Sequence, residues 1–171
     1  PFAMSEDIAP SSRSSVSWGW KKHAPYKPDL VEEGGNKLIS PSRDEITNTI
    51  ELSLLTTSGR ATNQLFEVNS DTSAACALVS KHAAMLMAQY PEYWPETIRG
   101  LLVHTARWTS RMHERYRTER AQGTPKSAKE SLLRMVGYGV PNLNRAMHSA
   151  ENALTLISQS EITPFKRDGS T

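Results

Sequence analysis

The strongest periodic signal in the chain lies between Thr72 and Tyr90. Ala75, Leu78, Val79, His82, Ala83, Leu86 and Tyr90 recur at spacings of three and four, so a helix here carries them on one face. Asp71 stands where an N-cap belongs, and Pro91 ends the pattern. A second helix opens at Pro95, since the N–H that proline lacks has no partner in a first turn anyway; Ile98, Leu101, Leu102 and Thr105 form its apolar side. A short helix over 128–136 and a last one over 141–150 flank the turn Gly137-Tyr138-Gly139. Before the long helix the pattern changes. Pro28 to Val31, Ile50 to Thr57 and Leu65 to Val68 are short apolar or β-branched runs closed by Gly, Ser or Asn, and they predict strands; Leu154 to Ile157 predicts one more. Residues 1–26 and 37–49 read as irregular chain, and 107–129, with seven Lys or Arg against two Glu and little periodicity, as a solvated insertion. Strands followed by helices predict an α/β layer structure.

Composition narrows the function only by exclusion. The 171 residues suit one domain, and the formal net charge is +2, too balanced to indicate a nucleic-acid or membrane-surface protein. No apolar run reaches the ~18 residues of a membrane helix, and residues 1–4 show no signal-peptide pattern. The single cysteine, Cys76, rules out an internal disulfide and reads as a small buried residue. His82 and His104 read as packed histidines, and His23, His113 and His148 lack metal-ligand spacing. Asp29 reads as structural, Glu32 and Glu33 as solvent-facing, and Trp18, Trp20 and Trp94 as packing anchors. The basic 107–120 stretch has only Trp108 and Tyr116 among its arginines, so no nucleic-acid partner is expected.

The chemistry concentrates in Asn69-Ser70-Asp71-Thr72-Ser73-Ala74-Ala75-Cys76-Ala77, where a strand is expected to turn into the long helix. Ser73 falls in the first turn, beside free backbone N–H groups and the positive end of the helix dipole. A nucleophile there has its own N–H available to an oxyanion. Small residues on either side let substrate or backbone approach. Ser and Thr also stand at helix starts merely as caps, and spacing alone favours that reading.

The segment resembles the nucleophile motif of the subtilases, Gly-Thr-Ser-x-Ala-x-Pro: Thr72, Ser73 and Ala75 match, Asp71 replaces the glycine and Ala77 the proline. Lys27-Pro28-Asp29-Leu30-Val31 with Gly34-Gly35-Asn36 is similar to the element that precedes the nucleophile in that family. Trp94 to Arg99 with Leu101 to Ala106 resembles the helix ending in Thr-Ala, and Gly137-Tyr138-Gly139-Val140-Pro141 with Arg145-Ala146 resembles its closing Gly-x-Gly and final helix. Ser11 to Ser15 is an imperfect match to Phe-Ser-x-x-Gly. The wording is most similar to large bacterial subtilases encoded beside an AAA-type ATPase.

The resemblance implies the C-terminal portion of a subtilisin-like doubly wound parallel sheet with flanking helices, over residues 1–165 with a polar tail at 166–171. It implies a serine-type endopeptidase acting on protein or peptide substrates, with Ser73 as catalytic nucleophile, a cytoplasmic setting and an AAA ATPase as partner; many subtilases bind calcium, but no ligand cluster is visible in the sequence, so no metal or cofactor is expected. In that family a histidine takes the serine's proton and an aspartate orients the histidine. Neither the Asp-(Ser/Thr)-Gly nor the His-Gly-Thr element occurs among the 72 residues before Ser73, and residues 1–26, ahead of the Lys-Pro-Asp element where the family's oxyanion-hole asparagine belongs, offer none. These elements are then expected ahead of Pro1, and this chain alone is expected to be inactive. The alternative is a non-catalytic interaction module derived from the same fold. A doubly wound sheet without its other strands is also expected to leave apolar surface uncovered.

Overall fold

The computed structural model describes residues 1–18, 23–60, 62–152 and 156–162. Five helices carry most of the order: α1 (Thr72–Gln89), α2 (Pro95–Thr105), α3 (Ser110–Gln122), α4 (Pro125–Val136) and α5 (Leu143–Asn152). Strands β1 (Leu38–Ile39) and β2 (Ile46–Thr47) form one antiparallel pair, and β3 (Leu54–Thr57) and β4 (Phe66–Asn69) another. The α/β class of the sequence reading holds. Parallel pairing is not found among the described residues, where both sheets are two-stranded and antiparallel. The cause is local: Ser58 N–H donates to the Leu65 carbonyl at 3.0 Å, so the chain turns straight back instead of crossing over.

The helices bury two apolar clusters. Leu86 of α1 and Tyr90, which caps its C-terminus, meet Ile98, Leu101 and Leu102 of α2 and Ala146 of α5. Met112 of α3 meets Leu132 and Val136 of α4. Leu86, Leu132 and Val136 are wholly shielded from water, each worth about 1.5–3 kcal/mol relative to exposure. Leu30 packs on the first cluster and Val31 on the second, so one extended stretch joins the two through the alternation of its side chains.

That stretch, expected as a strand over 28–31, has no regular assignment. Its partners are a turn and not another strand: Tyr138 N–H donates to the Asp29 carbonyl at 2.9 Å and Val31 N–H to the Gly139 carbonyl at 3.1 Å. Only glycine fits opposite. A Cβ on Gly137 (φ +58°) would lie 2.3 Å from the Asp29 carbonyl oxygen, and one on Gly139 (φ +100°) would lie 2.3 Å from that of Arg107. The Asp29 carboxylate holds Lys27 at 2.7 Å and Arg99 of α2 at 3.0 Å, in keeping with its structural reading.

The 107–129 stretch is corrected from insertion to helices. Thr109 caps α3 by accepting from Met112 N–H, and Thr124 and Ser127 form a reciprocal cap on α4. Met112 and Tyr116, one turn apart, face inward. The long arginine stems around them hide the period in a hydropathy reading. Residues 6–8 strap the helix from outside: Thr109 donates to the Glu6 carbonyl at 2.8 Å, and Asp7 takes both Nε and Nη2 of Arg115 at 2.8 and 3.0 Å. The strand expected over 154–157 and the tail at 166–171 lie wholly or partly outside the described residues, as does Trp20; Leu156 and Ile157 have no strand assignment.

Gly137→Ala is expected to lower unfolding free energy by at least about 2 kcal/mol, from positive φ and backbone collision together, whereas Gly59→Ala, with open space around it, stays within about 0.5 kcal/mol. Urea unfolding of the two variants checks this. Burial raises the Asp29 pKa, but hydrogen bonds from Lys27 and Arg99 outweigh it and hold the carboxyl below its usual 3.8. A carboxyl depressed in the folded state stabilises above its unfolded pKa, and the contribution is lost as pH falls below about 3.8. Asp29→Asn is therefore expected to flatten that part of the stability–pH curve in acid titration.

Candidate active site

β4 ends at Asn69, Ser70 and Asp71 make the turn, and α1 starts at Thr72. Ser73 is the second residue of the helix and its side chain is exposed. The helix's first internal contacts come from Ala74 and Ala75, whose N–H groups donate to the Asp71 carbonyl at 3.2 and 3.4 Å. The N–H groups of Thr72 and Ser73 have no partner among the described residues, so both lie open at the positive end of an 18-residue helix.

Asp71 makes this geometry costly. Its backbone sits at φ +76°, ψ −172°, a region essentially reserved for glycine. The turn keeps that shape because Asp71 N–H donates to the Gly34 carbonyl at 2.7 Å. Gly34 itself has the Asp71 carbonyl 3.0 Å from where a Cβ would be, and Gly35 (φ +77°) packs on Ser70. The side chain does not cap the helix. The Ser11 hydroxyl first, and then the Lys37 ammonium at 3.3 Å, hold its carboxyl below the usual carboxylate range. The capping reading of Asp71 is thus replaced by an ion pair that draws the carboxylate away from the helix start. Sequence reasoning missed Lys37 and Ser11; the one available signal was the departure from glycine at position 71.

The remaining candidates lie elsewhere. His82 is on α1 nine residues beyond Ser73, about 13 Å along the axis, too far for proton transfer. It is half-buried, with Nδ1 at 3.8 Å from Glu32 and without a hydrogen bond, so the packed but hydrogen-bonded histidine of the sequence reading is corrected in part. Glu32 is correspondingly well covered, not solvent-facing, while Glu33 is exposed. Cys76 and His104 are exposed, against the expectation of burial, because each falls on the outer side of its helix. His23 is exposed in a turn. Trp18 is half-buried, and Trp94 is 40% exposed. Among the described residues, no three His, Cys, Asp or Glu side chains come together as a metal site, and no helix is long and apolar enough to cross a membrane.

Alongside α1 runs a groove of about 780 Å³, bounded by residues 3–13, by 28–36 and by Thr72, Cys76 and Val79 of the helix. Leu30, Val31, Ile98 and Leu102 give it an apolar lining. Ser73 is not among its lining residues.

The strand-to-helix turn thus leaves Ser73 exposed with two unpartnered backbone amides beside it. The chain matches the model of the subtilase family over residues 3–139 and belongs to that family. It is similar to an uncharacterized protein, y4bN, of Sinorhizobium fredii (strain NBRC 101917 / NGR234): 25% identical over 165 residues, which make up 95% of this chain and 36% of that protein. The chain therefore spans little more than a third of the length of this curated relative. No solved structure matches it.

Asp71→Gly is expected to be more stable than Asp71→Ala by about 1–2 kcal/mol, since glycine alone occupies this backbone without strain. Neither retains the Lys37 ion pair, so the difference isolates the backbone. Thermal or urea unfolding of both variants measures it.

Proposed function

We propose that this chain is the nucleophile-bearing part of a subtilisin-like serine endopeptidase, with Ser73 as the attacking group. The observation that carries the reading is the exposed Ser73 hydroxyl in the first turn of α1, next to the unpartnered amides of residues 72 and 73. Ser73 Oγ attacks the scissile carbonyl, and the Ser73 N–H supplies part of the oxyanion hole for the tetrahedral intermediate. The base that takes the Oγ proton, and the acid that orients it, come from sequence ahead of Pro1. In the doubly wound architecture of the whole domain, parallel strands from that sequence cover the apolar groove beside α1. Peptide or protein chains are the substrates. The resemblance to ATPase-linked subtilases supports a cytoplasmic setting with an AAA-type ATPase as partner.

On this reading the chain by itself is inactive. An unassisted serine hydroxyl is a weak nucleophile at neutral pH, and no described histidine hydrogen-bonds Ser73. The purified chain is expected to leave casein intact and to take up a fluorophosphonate no faster than its Ser73→Ala variant. Labelling of Ser73 at the rate of a complete subtilase contradicts the requirement for an external base.

A further inference from the structure

The Nδ1 atom of His82, midway along α1, is shut off from water and has no hydrogen-bond partner among the described residues. Glu32 Oε2 stands 3.8 Å away, beyond hydrogen-bond reach. Both side chains are well covered, at 19% and 15% exposure. The other carboxylate oxygen, Oε1, accepts from the Glu33 N–H at 3.1 Å and so ties the carboxylate to its own backbone. Glu32 belongs to the 28–36 stretch, and two residues further on the Gly34 carbonyl accepts from the Asp71 N–H at 2.7 Å. Gly34 thus secures the stretch to the start of α1, while the Glu32–His82 gap lies between the same stretch and the middle of the helix. The peptidase reading uses neither side chain.

A neutral imidazole carries one N–H on either nitrogen, so Nδ1 can stay bare; an imidazolium carries one on both. Protonation therefore puts a donor and a charge where no acceptor is in contact. Glu32 answers both by closing about 1 Å, to the roughly 2.8 Å of a charge-assisted hydrogen bond. We propose that the pair is a proton-operated latch: a proton taken up from solvent by His82 draws the Glu32 carboxylate onto Nδ1 and fastens the 28–36 stretch to α1, and its loss releases the stretch. The other charged groups on the elements around α1 do not compete. Arg99 of α2 holds Asp29 at 3.0 Å, the Glu33 carboxylate accepts from the Gly35 N–H at 2.8 Å, and Asp7 holds Arg115. Lys81 of α1, Glu96 and His104 of α2, and Arg145 and His148 of α5 are exposed, as are Glu6 and Arg13 across the groove. The carboxyls of Asp29, Asp44 and Asp71 are held below 3.8 by their own partners and do not change charge in the range where histidine does. The latch is independent of the peptidase reading.

A double-mutant cycle read by urea unfolding tests it, with the wild-type chain, Glu32→Gln, His82→Gln and the double variant measured at about pH 5.5 and about pH 8.5, on either side of the imidazole's range. The other histidines and the carboxylates appear in all four chains and cancel. The contact stabilises only while the imidazole is charged, so its contribution is present at the lower pH and fades as pH rises. The cycle is expected to give a coupling of about three- to tenfold in the unfolding equilibrium constant at the lower pH, and none at the higher. Histidine-labelled NMR of the wild-type chain reads the same contact without a substitution: a slowly exchanging Hδ1 on His82 at the lower pH, lost at the higher. This second measurement decides if a variant fails to fold. A coupling that is absent at the lower pH or equal at both, a His82→Gln chain more stable than wild type at the lower pH, or a His82 ring without a protected Hδ1 there overturns the proposal.

Discussion

One backbone hydrogen bond, from the Asp71 N–H to the Gly34 carbonyl, fixes where α1 begins. The residue at that junction is held in a conformation that only glycine adopts freely, yet it is an aspartate. Strain of this kind persists only where the surroundings over-determine it. Here they do: Gly34 and Gly35 allow two backbones to touch, and Lys37 and Ser11 hold the carboxylate to one side. The result is a helix start whose first amides remain open and whose second side chain, Ser73, faces solvent.

The support for this junction is continuous with the rest of the chain. The 28–36 stretch is seated at one end on the Gly137–Gly139 turn and at the other on Asp71, and Leu30 and Val31 enter the two apolar clusters on the way. Asp29 adds a tie to α2 through Arg99. Four sequence elements that lie far apart in the chain thus meet along a single irregular segment. Their residue types follow from the contacts: glycine where backbone meets backbone, aspartate where two cations converge. The catalytic role of Ser73 is the proposal built on the local geometry and on the motif around it.

The long helix was legible because its period is unbroken from Ala75 to Tyr90 and Pro91 stops it. α2 and β4 were legible for similar reasons, from Pro95 and from a short, largely apolar run before a polar turn. The 107–129 helices were not, because arginines surround the two inward residues of α3, and the capping signals at Thr109 and Thr124 are short. The stretch at 28–31 has the composition of a strand; its partner, a glycine turn more than 100 residues away, leaves no local trace. At the site, Ser73 and its placement could be read from the motif. The Lys37 and Ser11 contacts could not, since nothing in their spacing marks them as neighbours of Asp71.

The most direct test of the nucleophile assignment is mass-spectrometric mapping of a fluorophosphonate adduct on the protein that carries these residues together with sequence ahead of Pro1. The account predicts a single phosphonylated peptide, the one containing Ser73, and its disappearance in Ser73→Ala. An adduct on another residue, or none where a complete subtilase reacts fully, would contradict it and leave the fold as a non-catalytic derivative of the family.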